Sequence, residues 1–294
     1  MFFLKKLFKK VKIGFRLLIW NFWQFFPRGI KRTNTSQGIF YFYTKDQFIS
    51  KQLYLFKSYG YQELEKAYSL LKDHGFLGNG KCKIIDIGAN IGTVCISALK
   101  KNFFEEALAI EPVPDNTFLL KKNSLANNLS SKIKFYPYAI SNRRGKLTMK
   151  LSNDNYGDHR VLSGTDNKPV KNNGNSFDYV DVPVLSFDEL VLKENLDLNN
   201  VGLIWMDTQG HDYFVLRGME KTLSFKIPIV FEFYPSGIRQ EGIQQEEFFD
   251  FIKTRFNYFY NLREPFPVKL STDKIINLFS RYQKESFTDL LLLP

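Results

Sequence analysis

Three acidic residues close strand-like runs in this chain, and two glycines open the turn beside the first of them. The run Ile84-Ile85-Asp86-Ile87-Gly88-Ala89-Asn90-Ile91-Gly92 reads as an apolar strand, a turn and the start of a helix. Gly88 would let the backbone approach a ligand, and Gly92 would let the helix pack on its strand. Free N–H groups at such a helix start favour an anionic group. The spacing is Gly-x-x-x-Gly and not the GxGxxG of dinucleotide sites. Asp86 would repel a pyrophosphate, while suiting a cofactor that carries an ammonium and a sulfonium. Glu111 stands nineteen residues beyond Gly92, at the end of the next strand. There its carboxylate can accept from both hydroxyls of a ribose. Glycine turns and strand-end acids are each common structural features. Together in one βαβ unit, at this spacing, they point to a nucleoside cofactor.

The third acid, Asp207, follows the apolar run Val201–Met206 and should face the same ligand edge. It is a candidate general base, with a helix N-cap as the plain alternative. His211, four residues on, titrates in the right range for a base but equally suits packing. His159, Asp212 and Glu232 are further candidates. Cys82 and Cys95 read as inert. With two Cys and three His spread along the chain, no metal site is expected.

The elements that must position these groups follow from periodicity. A helix is expected over 60–75, then strands and helices alternate. Strands are predicted at 83–87, 107–110, 133–140, 146–151, 182–185, 201–206, 227–233, 258–262 and 287–293. Helices fall between them, one with Phe248, Phe249, Ile252 and Phe256 on its face. Such alternation predicts a parallel sheet covered on both faces, with its ligand at the carboxyl ends of the strands. Residues 152–180 break the rhythm and read as a long surface loop beside the site.

The net charge of +11 is unevenly placed. Residues 1–45 hold ten Lys/Arg and no acid, leaving 31 Lys/Arg against 30 Asp/Glu elsewhere. That excludes a basic groove across the main domain, so a nucleic-acid partner is not expected. Leu4, Leu7, Val11, Phe15, Leu18 and Phe22 recur at helical spacing, with Lys5, Lys9, Lys12 and Arg16 to the side. This is the pattern of a basic amphipathic helix at a membrane surface, with Trp20 and Trp23 suited to the headgroup boundary. The competing reading packs the helix on the domain. Interrupting lysines make a cleaved signal peptide a poorer reading, and no run is long enough to span a bilayer. The expected organisation is a basic arm over 1–45, a helical lead-in over 46–80 and a catalytic domain over 81–294. The expected location is cytoplasmic, with peripheral contact at the inner membrane surface.

The blocks together resemble the FkbM family of class I S-adenosylmethionine-dependent methyltransferases. Asp86-Ile-Gly-Ala-Asn-Ile-Gly92 is similar to the family's opening motif. Glu111-Pro-Val-Pro-Asp115, with Leu120 and Asn123, is similar to its second, and Val184-Leu-Ser-Phe-Asp-Glu-Leu190 to its third. Ile204-Trp-Met-Asp-Thr-Gln-Gly210, with Leu216-Arg-Gly218, is similar to its fourth. The resemblance spans about 83–235. It implies a doubly wound, mostly parallel seven-stranded Rossmann-like sheet and S-adenosyl-L-methionine as cofactor. It further implies methyl transfer to a hydroxyl of a small molecule or glycan. Asp86, Gly88, Asn90, Gly92 and Glu111 would hold the cofactor, with Asp207 and His211 at the chemistry. The fourth block departs from the commoner form: Trp205 replaces a lysine and Gln209 a glutamate, so those two roles do not carry over. A nicotinamide-dependent oxidoreductase on the same layers, or a non-catalytic membrane-surface module, are the alternatives.

Overall fold

The computed structural model describes residues 2–78, 82–162, 178–284 and 286–294. The chain opens with helix α1 (Phe2–Trp23), hairpin strands β1 (Ile30–Asn34) and β2 (Ile39–Tyr43), and helices α2 (Ile49–Phe56) and α3 (Tyr61–Asp73). Next come β3 (Lys83–Ile87), α4 (Thr93–Lys100), β4 (Glu106–Ile110), α5 (Pro114–Ala126), β5 (Ile133–Tyr136), β6 (Ala139–Ile140), β7 (Gly145–Leu151), β8 (Arg160–Val161) and β9 (Asp178–Leu185). The last third holds α6 (Phe187–Glu194), β10 (Val201–Met206), α7 (Asp212–Arg217), β11 (Ile229–Phe233), α8 (Pro235–Gln240), α9 (Gln245–Lys253), β12 (Tyr258–Asn261), β13 (Leu270–Ser271), α10 (Leu278–Arg281) and β14 (Thr288–Leu293).

The main sheet runs β13-β12-β14-β11-β10-β3-β4-β5. The five strands from β11 to β5 are mutually parallel, and β14 is antiparallel to both neighbours. The seven strands implied by the resemblance are present, with two-residue β13 added at one edge. Chain order reverses between β3 and β10, the switch point where α/β sheets bind ligands. All six residues of β10 are buried, which explains its continuous apolar run. Two large apolar clusters cover the two faces of the sheet, one around Phe231, Phe233 and Phe248, the other around Ile84, Cys95 and Trp205.

Several expectations are corrected. The strand foreseen at 133–140 is two strands, because Pro137 interrupts it; β5 stays in the main sheet and β6 joins a second sheet, β6-β9-β7-β8. On α9 the buried residues are Phe248, Phe251 and Ile252, and Phe249 is half-buried. The loop expected over 152–180 contains β8 and the start of β9; its stretch 163–177 lies outside the described residues. Residues 1–45 are not one arm. Phe40 and Phe42 of β2 are fully buried in the core, and so is Trp20, which corrects its expected place at a headgroup boundary.

Two asparagines, Asn123 of α5 and Asn127 at its C-terminal cap, hold the hairpin in place. Asn123 accepts from Tyr41 N (2.6 Å) and donates to Tyr41 O (3.1 Å). One turn later, Asn127 accepts from Ile39 N (2.9 Å) and donates to Ile39 O (2.7 Å). The i, i+4 amides of a helix thus satisfy the i, i+2 backbone groups of a strand edge. Asn123 also donates to Ile91 O, tying the glycine turn to the same helix. Asn123→Ala should lower stability by about 1–3 kcal/mol, because buried backbone groups lose their partners. Leu125→Ala, exposed on the same helix, should stay within about 0.5 kcal/mol. Thermal melting of both variants checks the difference.

Candidate active site

A cleft of about 590 Å³ opens at the carboxyl ends of β3, β4, β10 and β11. Its size suits a cofactor with an acceptor beside it. Asp86, Gly88, Asn90 and Glu111 line one part; Asp207, Gln209, Glu232 and Asp289 line another; Asn155–Val161 forms a further wall.

On the glycine side, Gly88 has φ +83° and a Cβ there would lie 2.0 Å from the Asp207 carbonyl oxygen. The close approach is thus to the neighbouring strand end as well as to the cleft. Gly92, at φ +89°, admits Leu120 and Ile96 where a side chain would stand, as helix–strand packing requires. Asp86 is buried and accepts from Cys95 N (3.0 Å) at the start of α4. Burial raises its pKa to about 7. Glu111 accepts from Asn90 N (2.8 Å) and Val113 N (2.9 Å), so it shapes the glycine turn directly. Burial lifts its pKa to about 7 as well. Asn90, at φ +49°, donates through its side chain to Tyr156 O (2.8 Å) and stitches the turn to the 155–161 wall.

The residues present fit a nucleoside with a cationic tail. Each Glu111 oxygen accepts one backbone bond at good distance and keeps capacity for a hydroxyl. Asn116 Oδ1 is buried at the cleft wall, with no protein partner among the described residues. Asp86 offers its charge to an ammonium.

On the acid side, Gln209 is the unexpected connector. It sits at φ +55°, and its Nε2 donates to Asp207 Oδ1 (2.6 Å) and Glu232 Oε2 (3.2 Å). A glutamate at this position could not donate to both; the glutamine makes one unit of two acids. Burial raises the pKa of both carboxyls, and the Asp207 charge raises that of Glu232 further. The two arginines lining the cleft are already engaged. Arg263 pairs with Asp289 (2.7 Å), and Arg160 pairs with Asp158. His211 also lines the cleft, but its Nε2 meets Ser141 Oγ (2.9 Å) and its Nδ1 lies 3.4 Å from Glu241. His159 Nδ1 accepts from Ser152 N (3.0 Å), and burial lowers its pKa to about 4. It is therefore neutral, with Nε2–H left to donate. Asn116, Gln209, Tyr156, Arg263 and Asp289 were not singled out from sequence. Only Gln209 had left a signal, as a departure in the fourth block.

The Methyltransferase FkbM domain family matches residues 86–263, from the first strand-end acid to Arg263 of the cleft. The chain belongs to this family. Membership makes S-adenosylmethionine the cofactor and displaces the nicotinamide alternative. Over 139 residues the chain is 28% identical to the hexuronic acid methyltransferase AglP of Haloferax volcanii, covering 47% of this chain and 50% of that protein. It thus spans about half the length of this curated relative. Among solved structures, a methyltransferase from Agrobacterium tumefaciens matches with a TM-score of 0.41 at 10% identity, over 90% of this chain and 70% of that one. Pyrococcus horikoshii TYW2 in complex with MeSAdo matches at 0.38 and 13%, over 90% and 71%.

Cofactor affinity should depend on pH. In the free FkbM-family fold the raised carboxyls favour their neutral forms. Their contribution to stability is full below the ordinary carboxylate range and is lost as pH rises through about 7. An ammonium and ribose hydroxyls favour the ionised forms, so affinity should rise over that window, with proton release on binding. S-adenosylhomocysteine should bind at least about tenfold tighter at pH 8 than at pH 5, with a reduced slope in Glu111→Gln. Calorimetry in buffers of different ionisation enthalpy measures both; a flat profile would remove Asp86 and Glu111 from the site.

Proposed function

We propose that this protein is an S-adenosylmethionine-dependent O-methyltransferase. Its acceptor is a hydroxyl of a sugar or other small molecule, in the class of a cell-surface glycan or its precursor, met at the cytoplasmic face of the membrane. One observation carries the reading: Asp207 and Glu232 share the Gln209 amide at the strand ends beside the cofactor residues. Two carboxyls held this way resist double ionisation and keep one basic site near neutrality. When bound, the cofactor supplies an activated methyl group on sulfur. This chain's residues then have two tasks. The pair takes the proton as the acceptor oxygen bonds to the methyl carbon and the carbon–sulfur bond breaks, and the cleft walls hold that oxygen in line. Asp86, Gly88, Asn90, Gly92 and Glu111 form the proposed cofactor half. His211, with Nε2 at Ser141 Oγ and Glu241 3.4 Å from Nδ1, fits positioning better than proton transfer.

The sugar class is supported by the haloarchaeal relative, whose name records action on a hexuronic acid. The charge of the cleft favours a hydroxyl over a carboxylate. Asp207, Glu232 and Asp289 line it, and its two arginines are already paired. A uronate carboxylate would add negative charge beside Asp207 and Glu232, while Arg263 is already held by Asp289.

Methyl-labelled cofactor with a panel of hexosides and hexuronides tests this. Label should enter alkali-stable methyl ethers. Alkali-labile methyl esters would contradict a base-assisted hydroxyl reaction. Glu232→Gln and Asp207→Asn should each lower kcat by about 10²–10⁴-fold and leave the S-adenosylhomocysteine dissociation constant within about threefold. Full turnover in both variants would leave these acids as structural groups.

A further inference from the structure

Helix α1 has two apolar faces, and the fold uses only one. Trp20 is buried with its ring 6.0 Å from those of Phe42 and Tyr54, and its Nε1 donates to Gln47. Trp23 lies 4.8 Å from Tyr54. Arg16 donates to Leu55 O (2.7 Å), and beyond the helix Gln24 donates to Thr44 O (2.8 Å). These contacts fix the rotation of the helix on the domain.

The opposite face carries Phe8, Val11, Phe15, Leu18 and Phe22, each 59–68% exposed. Their spacing of three and four residues makes one continuous stripe. Phe25 and Phe26, also exposed, extend it. Single exposed apolar residues are ordinary, but a row of this length marks a contact surface.

Charge decides the occupant. Residues 2–23 hold six Lys/Arg and no Asp or Glu. By helical periodicity Lys12 and Lys10 fall to either side of the stripe. A groove between α1 and the end of α2 gathers Lys12, Arg16 and Lys57 around Phe8, Ile13 and Phe56. A second copy docked face to face through this stripe would set cation against cation. An anionic bilayer offers acyl chains to the stripe and phosphates to the flanking cations. Among the described residues no helix is long and apolar enough to cross a membrane, so the helix would lie in the interface plane. We propose that α1 docks the protein on an anionic phospholipid surface through Phe8, Val11, Phe15, Leu18 and Phe22. The proposal rests on α1 alone and not on the identity of the acceptor. Gln24 also donates to Thr44 O and to Trp20 O while Gln47 donates to Gln24, one residue before Phe48 at the cleft. These hydrogen bonds link the end of α1 to the residue that precedes Phe48.

The test uses the full chain and a Phe15→Glu/Leu18→Glu/Phe22→Glu variant, whose altered side chains touch solvent and leave the Trp20 face intact. Folding of the variant is checked by unchanged S-adenosylhomocysteine affinity. In sedimentation with phosphatidylglycerol-containing vesicles the native chain should pellet at low salt. It should be released at high salt and bind pure phosphatidylcholine vesicles weakly. The variant should lose at least about tenfold in partition. Equal pelleting of the two forms, or a native chain that stays in the supernatant, overturns the proposal. So does a native dimer without vesicles that the variant dissolves, since the stripe would then belong to a second copy.

Discussion

The structure depends on burying carboxyl groups at the carboxyl ends of its central parallel strands. Asp86, Glu111 and Glu232 are buried, and Asp207 stands among them at the end of β10. Each is desolvated, and desolvation raises the pKa of every one. The fold tolerates this because each acid is also a fastener. Asp86 accepts from the start of α4, Glu111 from the glycine turn, and Asp207 and Glu232 from Gln209. The same groups form the walls that a cationic nucleoside and a hydroxyl need. Structure and proposed chemistry therefore draw on one set of interactions.

The hairpin shows how a segment outside the family-like blocks supports them. Asn123 and Asn127 satisfy the edge of β2, and Asn123 reaches back to Ile91 in the glycine turn. The 155–161 wall is attached through Asn90 to Tyr156, and Tyr156 N donates to Asp46 Oδ1 at 3.4 Å. The glycine-turn side of the cleft is thus braced from the N-terminal segment as well as from the sheet.

The strands were legible where burial is complete on both faces. Lys83–Ile87 and Val201–Met206 appear with the bounds that their apolar runs suggested. The place of Glu111 at the end of β4 could be read because the interval from Gly92 is set by the length of one helix and one strand. The hairpin was not legible: Ile39–Tyr43 is an aromatic run without alternation, and it is paired by side chains from a distant helix. Nor could spacing show that Gln209 would bridge two acids, since that contact needs β10 and β11 side by side. Helical periodicity puts Trp20 on an apolar face without saying which face the domain covers. In the structure the domain covers the Trp20 face and leaves the Phe15 face outward.

In the proposed complex this cleft holds S-adenosylmethionine with its ribose on Glu111 and its amino group at Asp86, leaving Asp207 and Glu232 for the acceptor. A crystal structure of the full chain with S-adenosylhomocysteine tests it most directly. Both ribose hydroxyls should lie within hydrogen-bond distance of the Glu111 carboxylate, with the sulfur facing the Asp207–Gln209–Glu232 group. A ligand bound elsewhere, or one whose sulfur faces away from that group, would contradict it.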